Sequence, residues 1–261
     1  MGTSEQTEIE RKYDVDDEAA VPDLESVTSV AGGAGPVLEV ARVERAAPAH
    51  LRAVYHDTDD HLLLGSRITL RRRTGGHDEG WHLKLPPAPA PAPASAPTSG
   101  QEVSSGASRA PGTDHSAPAP AGVDAGASSR GRREVHAPLG SEEDGVPAEL
   151  LARVEEQLGG RSVSPVIVLE TTRTATTLVD AGGTALAELA DDVVTATVSG
   201  RDGAEPVVRR WREWEAELAP GVDGASGEAL LDAIEARLLA AGAVPSASRS
   251  KLARGLGAEP A

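Results

Sequence analysis

Along most of this chain, apolar positions alternate with polar ones at a period of two. Such alternation puts successive side chains on opposite faces of a strand. It predicts strands over 6–14, 37–45, 51–58, 67–74 and 80–86, and again over 131–137, 165–178, 184–190, 192–199 and 206–218. Helical spacing is confined to 22–31, 147–158 and 226–241. In the last of these Leu230, Leu231, Ile234, Leu238 and Leu239 recur at a helix's period, and Leu252 and Leu256 suggest a short terminal helix. Long runs of consecutive strands imply an α+β chain, mainly β, with an antiparallel sheet closed into a barrel.

Residues 87–130 break the pattern. Pro87-Ala88-Pro89-Ala90-Pro91-Ala92 opens a Pro/Ala/Ser/Gly stretch whose sizeable apolar residues are only Val103 and Val123. A segment of this composition cannot bury enough surface to order itself and reads as a flexible, partly polyproline-II insertion. Neither flank has enough apolar residues to fold alone. Residues 1–86 and 131–257 are therefore read as two parts of one domain.

The charged positions of several strands also recur at alternate places. Glu8, Glu10 and Lys12 share a face, as do Arg71 and Arg73, His82 and Lys84, Arg132 and Glu134, and Glu213, Glu215 and Glu217. In an ordinary antiparallel sheet such a face is simply the wet one. Here carboxylate pairs on two strands accompany cations on at least four others. If these faces turn inward, the result is a charged tunnel. Its carboxylates suit a hard divalent cation such as Mg²⁺ or Mn²⁺. Its arginines and lysines suit phosphoryl oxygens. Arg72 and Arg133 fall on the opposite face and are expected to meet solvent. His82 is expected to be a polar wall residue, and Trp211 and Trp214 packing residues.

Composition narrows the partners. Of 261 residues, 39% are hydrophobic, with no Phe and two Tyr, so the core must rest on Leu, Val, Ala and the three Trp. A net charge of −16 argues against general nucleic-acid binding. It leaves room for a small anion in a locally basic cavity. The absence of Cys excludes disulfides and thiolate chemistry. No signal-peptide pattern and no run of membrane-spanning length is present, so a soluble cytoplasmic protein is expected. Only three cations are lysine (Lys12, Lys84 and Lys251) against twenty-two arginines. Those few compact point charges are candidates for function.

Glu8-x-Glu10-x-Lys12 resembles the E-x-E-x-K signature of the CYTH superfamily, the triphosphate tunnel metalloenzymes. Further blocks follow in the family's order: Tyr55-His56-Asp57-Thr58, Leu70-Arg71-Arg72-Arg73, Lys84, Arg132-x-Glu134, Arg173, Leu189-Ala190-Asp191-Asp192, Glu213-x-Glu215-x-Glu217 and Ser250-Lys251. The resemblance implies an eight-stranded antiparallel tunnel that hydrolyses a small triphosphate with Mg²⁺ or Mn²⁺. It maps Glu8, Glu10, Asp191, Glu213 and Glu215 to metal ligands, with Glu217 on the same strand. Glu188 and Asp192 are the neighbours that a register slip would put in place of Asp191. Lys12, Arg71, Arg73, Lys84, Arg132 and Arg173 map to the cationic lining that grips the substrate. The first four of these are the catalytic candidates, and Lys251 is expected to bind substrate with them and to close one end.

The chain departs from the family in two ways. Thr174, Ala175 and Thr176 stand where members often carry a further basic residue, and the 87–130 insertion is unusual. Two other functions compete. A nucleotidyl cyclase would need a base-stacking pocket that this aromatic-poor chain hardly supplies. A polyphosphate-binding module without turnover would gain nothing from the carboxylates. Many bacterial members continue into a CHAD domain, so association with one is a further expectation.

Overall fold

The computed structural model describes residues 2–29, 36–87, 131–199 and 205–258. Apart from Pro87, the expected insertion lies outside the described residues. Eleven strands are described in chain order: β1 (Ser4–Glu8), β2 (Glu10–Val15), β3 (Arg42–Arg45), β4 (Ala49–Asp57), β5 (Thr69–Thr74), β6 (Gly80–Leu85), β7 (Arg132–Ala137), β8 (Ser164–Val179), β9 (Ala185–Val198), β10 (Val207–Leu218) and β11 (Val244–Pro245). The helices are α1 (Leu62–Gly65), α2 (Ala148–Ala152), α3 (Glu155–Leu158), α4 (Gly224–Ala240) and α5 (Lys251–Leu256).

The strands pair in the order β1-β7-β6-β5-β4-β8-β9-β10-β2-β11, with β3 beside β8, and every pairing is antiparallel. β1 and β2 sit far apart on that path, yet Ile9 alone separates them in sequence. The N-terminal segment pairs with β7 on one side (Glu8 opposite Arg132) and with β10 on the other (Glu10 opposite Glu217). At the switch the Ile9 carbonyl accepts from the Leu218 N–H at 3.0 Å. The sheet is open in hydrogen bonding between β1 and β2 and closes covalently through Ile9. Counting that segment once, eight strands run round the curled wall, the number expected. β3 and β11 are short additions to β8 and β2.

Alternation then decides which side of the wall is apolar. The outward residues of β5, β6 and β7 (Leu70, Trp81, Leu83, Val135) pack under Leu63, Leu150, Val154 and Leu158 from the α1–α3 region. Those of β2 and β10 (Tyr13, Trp214, Ala216) pack under Leu230, Leu231, Ile234 and Leu238 of α4. The hydrophobic faces are thus buried on the outside, and the charged faces turn inward. One end of the interior is itself apolar. Ala53, Tyr55, Ile167, Leu169, Val194, Ala196 and Trp211 cluster there around Leu252 of α5. A Cβ added at Gly255 would lie 2.6 Å from Ile167 and 3.1 Å from Ala196, so α5 is seated close against β8 and β9.

Two local expectations change. The helix predicted over 22–31 is absent from 22–29; residues 30 and 31 lie outside the described residues. Instead the backbone of Ser26, Val27 and Ser29 bonds to Leu38 and Val40, and Thr28 bridges to Glu39. The spacing of Leu24 and Val27 reflects their burial in the α4 core and not a helix. The segments 184–190 and 192–199 form one strand, β9, because Asp191 and Asp192 both find cationic partners and do not interrupt it. On α4, Glu228, Asp232 and Glu235 converge on Arg11 at 3.3, 2.7 and 3.2 Å.

Candidate active site in the tunnel

The strand register lays the charged residues in rows around the interior. One row crosses β2, β10 and β9 as Glu10, Glu217 and Glu188. The next along β10 joins Lys12 to Glu215, and the one after that runs Asp14, Glu213, Asp192 and Arg173. On the other side Thr69, Lys84, Glu134 and Gln6 form a row across β5, β6, β7 and β1, beside Arg71 on β5. Most of them line a cavity of about 340 Å³, with Asp14, Glu213 and Asp192 outside its lining.

Most of the expected site residues meet here. Glu8, Glu10, Lys12, Arg71, Arg73, Lys84, Arg132, Arg173, Glu215 and Lys251 all line the cavity. Glu213 is buried just beyond it, with its Oε1 2.5 Å from Lys251 Nζ. Asp191 is the exception. It lies on the outer side of β9, gripped by Arg212 Nε at 2.8 Å and NH2 at 2.9 Å and by the Trp214 indole at 3.2 Å. Asp192, fully buried, takes the inward place. The correction is a one-residue shift in strand parity, which exchanges the two faces. Arg72 and Arg133 point away from the cavity, toward the Gly140 carbonyl and Glu5 respectively.

Ion pairs hold the lining in place. Lys84 Nζ is 2.5 Å from Glu8, Lys12 pairs with Glu10 at 3.0 Å and also with Glu215, and Arg173 grips Asp192 through Nε and NH2 at 2.8 and 2.7 Å. Although burial opposes it, Lys12 and Lys84 hold Glu10 down at about 2. Two acids behave oppositely. Burial pushes Glu8 up to about 8 and Glu217 up to about 7 despite Lys84, because neighbouring carboxylates add to the effect. Glu10 faces Glu217, which faces Glu188, so three like charges stand directly opposite one another across adjacent strands. That arrangement is unfavourable without a cation between them.

Two arginines of the cationic wall are incompletely partnered, although Arg71 stands 4.0 Å from Glu134. Arg71 donates to the Tyr55 hydroxyl at 3.3 Å, and its Nε has no partner among the described residues. Arg73, 4% exposed, pairs with Asp78 from the β5–β6 turn, and its Nε is likewise unpartnered. Burial and the nearby charges of Arg71 and Arg173 push Arg73 down to about 9.

Sequence reasoning assigned no role to Glu134, Asp192, Glu188 or Asp78. Glu134 shares the inward parity of Arg132 and receives His82 Nδ1 at 3.0 Å, so alternation pointed to it. Glu188 and Asp192 were flagged only as neighbours of Asp191. Asp78 sits in a turn, where no periodicity marks an inward side chain.

Against known families, the model of the CYTH domain matches residues 6–218. The chain belongs to the CYTH family. Two uncharacterized proteins of Mycobacterium tuberculosis, from strains CDC 1551 / Oshkosh and H37Rv, are each 38% identical to this CYTH chain over 257 residues. The match covers 96% of the chain but only 40% of their length. Among solved structures, a Bacillus halodurans protein provisionally assigned as an adenylate cyclase shares the fold at a TM-score of 0.51, with 16% identity and coverage of 96% of this chain and 97% of that one. A Hippeastrum protein provisionally assigned as an adenylyl cyclase, and described as having a dominant triphosphatase activity, aligns at a TM-score of 0.47, with 14% identity and 97% of each chain covered.

Proposed function

We propose that the tunnel hydrolyses a small triphosphate, inorganic triphosphate first among them, to orthophosphate and diphosphate. The supporting observation is the crowding of Arg71, Arg73 and Arg173 around buried space, with two guanidinium nitrogens unpartnered among the described residues and Arg73 pushed down to about 9. A polyanion supplies what that wall lacks. Arg71, Arg73, Arg132 and Arg173 would fork onto phosphoryl oxygens, while Lys12 and Lys84 act as point charges. Such donors, already aimed and desolvated, stabilise the charge that spreads over the equatorial oxygens as water attacks a terminal phosphorus and the anhydride P–O bond breaks.

The acids opposite fit a divalent cation. Glu8, Glu10, Glu217 and Glu188 offer hard oxygens and are the residues that would hold it; at Glu8 and Glu217 burial and neighbouring carboxylates disfavour the charged form. Once bound, Mg²⁺ or Mn²⁺ would neutralise substrate charge. Among the described residues that line the cavity the rings are Tyr55, whose hydroxyl is engaged by Arg71, and His77, which offers little to stack a base. The test is phosphate release from inorganic triphosphate with and without Mg²⁺ or Mn²⁺, run beside ATP. Metal-dependent orthophosphate release is expected. Its absence, with cyclic nucleotide formed from ATP instead, would overturn the proposal in favour of a cyclase.

A further inference from the structure

Asp192, Glu213 and Glu215 bring carboxylate oxygens within 4.8 Å of one another, a grouping able to hold a cation. We infer that this group already has its cation, the Lys251 ammonium, which latches α5 into the tunnel end and keeps divalent metal out of the triad. The inference rests on the proposed function only in placing the metal on the acid row through Glu10.

Lys251 Nζ lies 3.0 Å from Asp192, 2.5 Å from Glu213 and 2.7 Å from Glu215, and its side chain is only 9% exposed. The other oxygens of the triad are also engaged. Arg173 donates to both oxygens of Asp192 and, at 3.0 Å, to Glu215 Oε2; the Trp211 indole donates to Glu213 Oε2 at 2.5 Å; Lys12 reaches Glu215 Oε1. Three carboxylates therefore face Lys12, Arg173 and Lys251, and the charges balance. A divalent ion placed there would have to displace an ammonium and would bring excess positive charge. In the row of Glu10, Glu217 and Glu188 the lysines reach only Glu10, Lys12 at 3.0 Å and Lys84 at 4.0 Å, and like charges still face one another across the strands.

The position of the lysine supports a latch. It is the first residue of α5, the end where the helix dipole disfavours a cation. Ser250 caps that helix by accepting from the Ala253 N–H at 3.1 Å, which fixes the direction Lys251 takes. Arg254, one turn on, reaches Asp14 and, at 3.6 Å, Glu213. Leu252 closes the apolar end between them.

The test counts Mn²⁺ bound without substrate, by calorimetry and electron paramagnetic resonance, on the full chain. In the otherwise unchanged chain, Glu213→Gln is expected to leave the number of bound ions the same and their affinity within about twofold. Lys251→Ala is expected to gain one Mn²⁺, which Lys251→Ala/Glu213→Gln loses again, while Lys251→Arg gains none. Loss of an ion in the Glu213→Gln single variant, or no gain in Lys251→Ala, overturns the latch. That count does not depend on turnover. A chain that binds Mn²⁺ but releases no phosphate disproves the hydrolase and leaves the latch standing.

Discussion

At the scale of single residues, the tunnel converts strand parity into large differences between neighbours. Lys12 and Lys84 are desolvated and aimed into the cavity, so Lys12→Ala and Lys84→Ala should each lower turnover on the order of 10²-fold. Arg72, one residue from two lining arginines but outside the cavity, should tolerate Arg72→Ala within about twofold, since its guanidinium turns to the Gly140 carbonyl on the outer side and a charge there contributes about 1 kcal/mol or less. Steady-state kinetics on the three variants decide this, and a damaging Arg72→Ala would mean that the β5 register is wrong. Glu8 and Glu217 set a pH signature. Their folded values of about 8 and 7 lie above the ordinary 4.5, so the folded state keeps protons that the unfolded chain has released. Their contribution therefore falls as pH rises from about 4.5 to about 8. Glu10, held at about 2, works the other way, and the stability it contributes is present above 4.5 and lost as pH falls toward 2. In EDTA, melting temperature should peak near the carboxylate range and decline toward pH 8. Glu217→Gln should flatten the decline, and Mn²⁺ should stabilise more at pH 8 than at pH 5. A melting temperature in EDTA that climbs steadily from pH 5 to pH 8 would contradict the assignment.

At the scale of elements, two polar residues that look chemical are structural. Asp57, fully buried, accepts from the N–H groups of Thr58, Leu63 and Leu64 at 2.7, 2.9 and 3.0 Å, while the Thr58 hydroxyl accepts from Leu62 at 3.0 Å. Together they nucleate α1, a helix of four residues too short to persist alone. Asp57→Ala strands buried donors and should cost on the order of 2 kcal/mol or more, measured by urea unfolding. At temperatures where the variant stays folded, its KM for inorganic triphosphate should change little, because Asp57 does not line the cavity. Arg11 has an equivalent role for α4. It faces outward from the same strand that sends Glu10 and Lys12 inward, and it gathers three acids of the helix.

At the scale of the whole molecule, closure turns an amphipathic sheet inside out, with apolar faces under helices and charge within. The insertion joins β6 to β7, which are antiparallel neighbours with Leu85 opposite Arg133. A hairpin-length connection can therefore span those ends, and loop length itself adds little entropic cost. Replacing residues 88–129 with a short Gly/Ser loop should leave melting temperature within a few degrees and turnover within about twofold. A large loss in either measurement would show that the segment contributes to the tunnel.

Much of this could be read from the chain because it depends on local periodicity. Period two set most of the strands and put Arg71 with Arg73, His82 with Lys84, and Glu213 with Glu215 on shared faces. The helical spacing of Leu230, Leu231, Ile234 and Leu238 located α4 to within two residues at its start. Alternation fixes only which residues share a face, not which face turns inward or where parity begins after a break. Asp191 and Asp192 differ by one position, and only pairing with β8 and β10 put Asp192 against Arg173 and Asp191 against Arg212. Likewise, the spacing of Leu24 and Val27 could not distinguish a helix from a loop folded onto α4. That choice depended on backbone hydrogen bonds to residues 38–40. The cation held by the buried triad was decided by contacts between residues far apart in sequence, which tertiary structure alone brings together.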